Sequence, residues 1–226
     1  MRTLAGLPKY IGDATSYARQ SVAGESFPIR RRDLFLVLGE HRAEAAMFDG
    51  HYFHQDLWAA RKVLEHAPAE HFDFGSRVDG FVAHLLTFMP VTVIDVRPLD
   101  EDIEGLHFIQ GDATHLLGIP DASLASVSSL HAVEHFGLGR YGDPVDPRAA
   151  DKVMATLSRV LAPKGRLYLS VPIGRERLMF NAHRIFSPST VLNAMSGLEL
   201  ISFAAVDDSG RFHPDAEPGD FDNAVY

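Results

Sequence analysis

From His71 onward the chain alternates short β-branched or aromatic runs with stretches of helical period, and this alternation restricts the fold more than any other feature. His71 to Gly75, Val91 to Val96, Leu106 to Gln110, Leu124 to Leu130, Arg166 to Val171 and Leu198 to Val206 read as strands. Runs such as Val91 to Val96 are too uniformly apolar to leave one face in water, so they belong in a parallel sheet covered on both sides. Between strands, Gly80 to Phe88 sets Phe81, Leu85 and Phe88 on one side of a helix. Ala149 to Leu161 does the same with Val153, Leu157 and Val160, and Pro163-Lys164-Gly165 ends it. Parallel strands joined through helices require right-handed crossovers, so the expected fold is α/β, a doubly wound, mostly parallel sheet.

The region before this pattern is less regular. Pro8, Gly12, Gly24 and Pro28 interrupt residues 1–50, where Asp33 to Phe48 alone looks helical, so these residues read as a helical or irregular extension to a domain spanning 51–226. At the start of that domain, His54 to His66 places Leu57, Ala60, Val63 and Leu64 at helical spacing.

Composition narrows the function classes. A net charge of -9 over 226 residues disfavours a general electrostatic hold on nucleic acid or an anionic membrane. Arg30-Arg31-Arg32 is the one basic cluster and reads as a solvated turn. The absence of cysteine removes disulfides, thiolate metal sites and a cysteine nucleophile, and fits a reducing cytoplasm. No apolar run reaches the roughly 18 residues of a membrane span, and no uninterrupted apolar segment marks a signal peptide.

In a doubly wound sheet, ligands bind beyond the carboxyl ends of the strands, so the residues there carry the chemistry. The first strand ends in Asp73-Phe74-Gly75-Ser76-Arg77, the second in Asp95-Val96-Arg97, the third in Gly111-Asp112-Ala113-Thr114, and the fourth in His131 to His135. A carboxylate at Asp95 suits the two ribose hydroxyls of a nucleoside cofactor, and Asp112-Ala113 suits an adenine edge through carboxylate and backbone N–H. Each acid taken singly also serves as a helix cap or turn residue. His131-Ala132-Val133-Glu134-His135 also matches the H-x-x-E-H signature of inverted zinc peptidases, which needs both histidines on one helical face and a third ligand. The preceding strand and the following Gly137 leave barely one helical turn for that arrangement. Gly137-Leu138-Gly139-Arg140-Tyr141-Gly142 satisfies G-x-G-x-x-G, but Asp143-Pro144-Val145-Asp146-Pro147 follows where a phosphate-binding helix would begin, so the segment reads as a loop over the site.

The stretch from His71 to Pro172 resembles the class I S-adenosylmethionine-dependent methyltransferases. Asp73-Phe74-Gly75-Ser76 is similar to their glycine loop, Val93-Ile94-Asp95-Val96 to their second strand, and Phe108 to Ala113 with Ile119 to Leu124 to the approach to the fourth. Leu161 to Leu169 resembles the proline-lysine-glycine turn into the fifth. The resemblance implies a Rossmann-like methyltransferase fold binding S-adenosylmethionine through Asp73, Gly75, Ser76, Arg77, Asp95, Val96, Asp112, Ala113 and His131. It also implies His135 as general base for a small-molecule or glycan acceptor, with Glu134 orienting it or binding substrate. The phrases His51 to Asp56, Ser76 to Phe81, His135 to Pro144 and Phe180 to Arg184 resemble more narrowly an uncharacterised bacterial branch associated with surface-polysaccharide gene clusters. Such a relationship implies O-methylation of a sugar or another small hydroxylated acceptor.

The chain departs from that pattern in two places. Arg77 and Asp79 stand where the family's second and third glycines fall, so either Arg77 supplies a cation to the cofactor carboxylate or the pocket is altered. After Val206 the sequence is rich in Asp, Gly and Pro, which leaves the family's seventh strand incomplete or missing and a sheet edge open to a second copy. Both departures keep open a second reading, a non-catalytic methyltransferase-like binding module. Tyr52, Gln55 and Asp56 are expected to close the site from the preceding helix, and His183 and Arg184 are candidates for acceptor contact.

Overall fold

The computed structural model describes residues 6–21, 27–38, 50–115 and 118–225. It divides into two units, Met1–Phe48 and Asp49–Tyr226. In the first, Pro8 stands in the opening turn of α1 (Leu7–Gln20), where its missing N–H costs nothing. The helix expected over Asp33 to Phe48 does not form in its described part: Arg31–Asp33 is one 3₁₀ turn, and residues 34–38 have no regular structure. Residues 39–48 lie outside the described residues. Arg30, Arg31 and Arg32 are exposed.

The second unit is built on a sheet of β1 (His71–Phe74), β2 (Val91–Asp95), β3 (Leu106–Gln110), β4 (Leu124–Leu130) and β5 (Leu161–Ser170), in the order β3-β2-β1-β4-β5. All four pairings are parallel, with Phe74 beside Ile94, Asp95 beside Gln110, and Leu130 beside Ser170. The order turns back between β1 and β4, which puts the switch point at the ends of those two strands. α2 (His51–His66) covers one face, burying Ala59, Ala60 and Val63 with Phe81, Val82, Leu85, Val91 and Val93. α4 (Ala149–Val160) covers the other with Val153, Met154, Leu157 and Val160 against Phe74, Ile94 and Val127. Each fully buried aliphatic side chain contributes roughly 1.5–3 kcal/mol of transfer free energy. That apolar stripe, more than helix propensity, holds α4 on the sheet.

Three local expectations are corrected. The helix expected over Gly80 to Phe88 begins instead as a π turn, Val78–Val82, and continues as the short α3 (Ala83–Leu85). Gly80 takes φ -117 and ψ -108 within it, outside helical values, and Phe88 is exposed. The sixth strand does not form over Leu198 to Val206. Ala205–Val206 (β8) pairs antiparallel with Phe212–His213 (β9), because Asp207 Oδ1 accepts from the backbone N–H groups of Ser209 (2.9 Å) and Arg211 (3.0 Å) and turns the chain back at once. β5 is therefore the last strand of the sheet among the described residues. Pro163-Lys164-Gly165 does not sit outside the strand as a turn but within β5, where the register shifts and Lys164 takes φ 66.

Past the sheet, β6 (Arg177–Met179) and β7 (His183–Ile185) form a hairpin, and α5 (Pro188–Ala194) starts on Ser187, whose side chain accepts from Thr190 N–H. No helix among the described residues is long and apolar enough to cross a membrane.

Candidate active site

A cavity of about 830 Å³ opens at the carboxyl ends of β1, β2 and β4. Gly75, Ser76, Arg77, Asp95, Val96 and Ala113 line one part of it, and His131, Glu134 and His135 line another. Asp73 and Asp112 do not line it. Asp112 Oδ1 accepts from Thr114 N–H at 2.8 Å and shapes the turn that presents Ala113. Asp73 is fully buried beneath the loop.

That burial gives Asp73 a positioning task. Its carboxylate accepts from Ser76 N–H (2.9 Å), Ser76 Oγ (2.6 Å) and Ser128 Oγ, while Ser76 Oγ accepts from Leu130 N–H at 2.9 Å. The loop after β1 is thereby tied to β4. Burial raises the Asp73 carboxyl to about 6, against the pull of these hydrogen bonds. Ser128 gives its single hydroxyl proton to the ionised Asp73, so it accepts from His71 Nε2 (2.8 Å), and His71 Nδ1 accepts from Ser126 Oγ (2.7 Å). Burial lowers the His71 imidazole to about 3, which keeps it neutral.

Gly75 takes φ 78, and a Cβ there would stand 3.1 Å from the Ala132 Cβ, so glycine lets the β1 and β4 turns meet. Arg77 points outward, 65% exposed, and donates from Nε (3.0 Å) and a terminal nitrogen (2.7 Å) to Asp79. The glycine nearest the family's third position is Gly80, one residue late. The segment is kinked at Gly80, whose φ and ψ are not helical. A Cβ on Gly80 would lie 2.6 Å from Asp56 Oδ2, so the glycine also admits the carboxylate of α2. Burial raises the Asp56 carboxyl.

Asp95 lines the cavity with its side chain 11% exposed, and Arg97 holds it through the backbone N–H (2.9 Å), Nε (3.0 Å) and a terminal nitrogen (2.5 Å). The Arg97 guanidinium also lies 4.9 Å from the Tyr141 ring centroid. Tyr141 belongs to the loop from Gly137 to Pro147, which Asp143 organises: Oδ2 accepts from Gly137 N–H (2.7 Å) and Gly139 N–H (3.4 Å), and Oδ1 from Tyr141 N–H (3.2 Å).

The turn after β4 is not the helix of a zinc peptidase. His131 has φ 48, and only Val133–His135 form a 3₁₀ turn, so the two histidines do not stack on one α-helical face. They converge on Glu134 instead. This carboxylate is 1% exposed; Oε1 pairs with His131 Nδ1 at 2.9 Å, His135 Nε2 stands 3.8 Å away, and Oε2 is buried without a hydrogen-bond partner. His135 Nδ1 donates to the Ala182 carbonyl at 2.7 Å, which leaves Nε2 as the bare lone pair of the neutral ring. Burial lowers the His135 pKa, opposed by the Glu134 charge. Tyr52 from α2 completes this wall, its ring 5.1 Å from His131 and its hydroxyl pKa raised by burial and by Glu134.

Gln55, Asp56 and His183 line the cavity as well. Arg184 does not contact it. Its guanidinium donates to the carbonyls of Phe136 (2.6 Å) and Glu134 (3.3 Å) and braces the turn after β4 from β7. Sequence reasoning missed the Arg97 contact, though its place two residues after Asp95 was a usable signal. It also missed the Ala182 carbonyl, a backbone group that no side-chain pattern announces.

An α/β sheet of this order, with a cavity at its switch point, matches a Rossmann-like methyltransferase fold. Among solved structures the chain is similar to Burkholderia thailandensis 1,6-didemethyltoxoflavin-N1-methyltransferase, crystallised with 1,6-didemethyltoxoflavin and S-adenosylhomocysteine. The identity is 20% and the TM-score 0.52, over 67% of this chain and 71% of that one. A Galdieria sulphuraria protein described as a proposed sarcosine dimethylglycine methyltransferase is similar at 14% identity and a TM-score of 0.50, over 67% of this chain and 64% of that one. At these identities the likeness establishes the fold. Residues 121–216 match DUF268, a family described as a Caenorhabditis protein of unknown function. No curated protein matches the chain.

Proposed function

We propose that the protein is an S-adenosylmethionine-dependent methyltransferase that methylates a hydroxyl of a sugar or another small acceptor. One observation carries the reading. A single cavity holds a strand-end carboxylate, Asp95, in one part and a histidine with a fixed tautomer and a bare Nε2, His135, in another. The residues present fit the cofactor. Asp95 suits the ribose hydroxyls, Val96 and Ala113 line the nucleoside end, and the side-chain-free Gly75 admits close approach of backbone. The Burkholderia neighbour was crystallised with S-adenosylhomocysteine, which supports the choice of cofactor.

When bound, the cofactor supplies an electrophilic methyl group on a sulfonium. This chain's part is alignment and proton removal. His135 Nε2 would take the proton of the acceptor hydroxyl whose oxygen is to receive that methyl group. Its Nδ1–H bond to Ala182 keeps the basic nitrogen turned to the cavity, and Glu134 stabilises the imidazolium at 3.8 Å. The cysteine-free composition fits work in the cytoplasm. The outer edge of β5 is one that a second copy can extend. A place in polysaccharide biosynthesis rests on the sequence resemblance alone.

A second reading, a non-catalytic module, is favoured by the Arg97 guanidinium on Asp95 and by the two missing glycines. Titration calorimetry with S-adenosylhomocysteine separates the two. The enzyme reading expects binding that Asp95→Ala abolishes, and a folded sample that binds nothing overturns it.

A further inference from the structure

The wall that carries His135 includes two hydrogen-bond acceptors on neighbouring residues. His135 Nε2 is bare because Nδ1 holds the ring proton against Ala182. Glu134 Oε2 is buried without a partner, while Oε1 of the same carboxylate is taken by His131 Nδ1 and stands 3.8 Å from His135 Nε2. Buried acceptors are normally satisfied, so an orphan carboxylate oxygen on a cavity-lining residue is a place where an arriving donor would gain a hydrogen bond.

We infer that the acceptor brings a vicinal pair of hydroxyls, one to His135 Nε2 and its neighbour to Glu134 Oε2. This inference rests on the methyl-transfer reading and assigns the second contact. The hydroxyl on His135 loses its proton and receives the methyl group. The hydroxyl on Glu134 keeps its proton, donates it as a hydrogen bond, and fixes which oxygen reacts. A lone hydroxyl satisfies one acceptor and leaves the other unpaired, which is how a polar site rejects an analogue lacking one group.

Charge in the rest of the cavity points the same way. The three guanidinium groups that line it are each held by a partner: Arg77 by Asp79, Arg97 by Asp95, and Arg140 by the Ala182 carbonyl at 3.0 Å. Two of the three charges are thereby neutralised, Arg140 keeping its own against a neutral carbonyl, and a carboxylate or phosphate acceptor at His135 would face the Glu134 carboxylate. A neutral polyol or sugar does not meet that repulsion.

The test is ligand-observed NMR titration of the full chain with cis-1,2-cyclohexanediol, cyclohexanol and cyclohexanecarboxylate, each with and without saturating S-adenosylhomocysteine. The diol is expected to bind about tenfold more tightly than the alcohol, the cost of one unmet hydrogen bond, with the carboxylate weakest. Glu134→Gln is expected to bring the diol to the level of the alcohol while S-adenosylhomocysteine affinity is retained. Equal affinity for diol and alcohol in the unsubstituted protein overturns the inference without recourse to any variant, as does a ratio unchanged by a folded Glu134→Gln. Loss of the S-adenosylhomocysteine arm alone overturns the methyl-transfer reading, and the diol ratio without cofactor still decides the acceptor contact.

Discussion

Asp95 and Arg97 close on one another across a single intervening residue, with the backbone N–H and the guanidinium of Arg97 all donating to the Asp95 carboxylate. The carboxylate best placed for ribose hydroxyls thus already holds charge-assisted bonds. A ligand that uses Asp95 must displace or share them. Arg97→Ala is therefore expected to raise S-adenosylhomocysteine affinity, by about tenfold or more for loss of the two side-chain bonds, the backbone N–H bond remaining. Calorimetry checks this, and a fall in affinity would show instead that Arg97 contacts the cofactor.

His135 sets the pH dependence of the proposed reaction. Burial lowers its pKa from the ordinary 6.5, the Glu134 charge only partly opposing it, so the neutral and basic form persists below that pH. Turnover is expected to stay level through neutral pH and to fall only on the acid side of 6.5. His135→Gln should lower kcat by roughly 10²–10⁴-fold, the usual worth of a general base. Initial rates across pH test both, and a profile still rising above pH 8 would point to a different base.

Asp73 titrates in the opposite sense to a salt-bridged acid. Its native pKa, about 6, lies above the ordinary 3.8, so the fold binds its proton more tightly than the unfolded chain. The resulting stability is fully present below 3.8 and is lost as pH rises through about 6. Across that window the loss is on the order of 3 kcal/mol. Carbon-13 titration of the aspartate carboxyls should show one midpoint near 6, absent in Asp73→Asn. That variant should also lack this component of the stability slope.

The layers of this fold were legible because each burial pattern is local. Val153, Leu157 and Val160 repeat at helical spacing and are all at 0% exposure in the core, and Val91, Val93 and Ile94 are buried as a parallel strand requires. The strand ends, and with them Asp95 and His135, followed from that topology. What local pattern did not carry was competition between partners. Leu198 to Ala204 is apolar enough for a strand, but Asp207 turns the chain before it can lie along β5. Asp73 looked like a ligand residue by its place at a strand end, and only the depth of β1 shows it to be a tie between loops. The tautomer of His135 depends on a carbonyl 47 residues away.

Arg184 tests whether the turn after β4 must be held for the reaction to run. Its bonds to the carbonyls of Phe136 and Glu134 fix a segment that has one 3₁₀ turn and the left-handed His131 to define it. Burial pushes the Arg184 pKa down, but its donors stay charged at any working pH. Arg184→Met keeps the stem and removes the donors, at an expected cost of about 1.5–3 kcal/mol of stability, as for hydrogen bonds from a charged group. It should also lower kcat by tenfold or more through misplacement of His135, as small shifts of a catalytic group do. Because the proposed cofactor contacts other than His131 come from β1, β2 and the turn at Ala113, S-adenosylhomocysteine affinity should hold within about twofold, well inside a 1.4 kcal/mol step. Arg184→Lys is expected to recover part of the rate. A variant that loses cofactor affinity in proportion to stability would show that Arg184 supports the fold at large and not the turn.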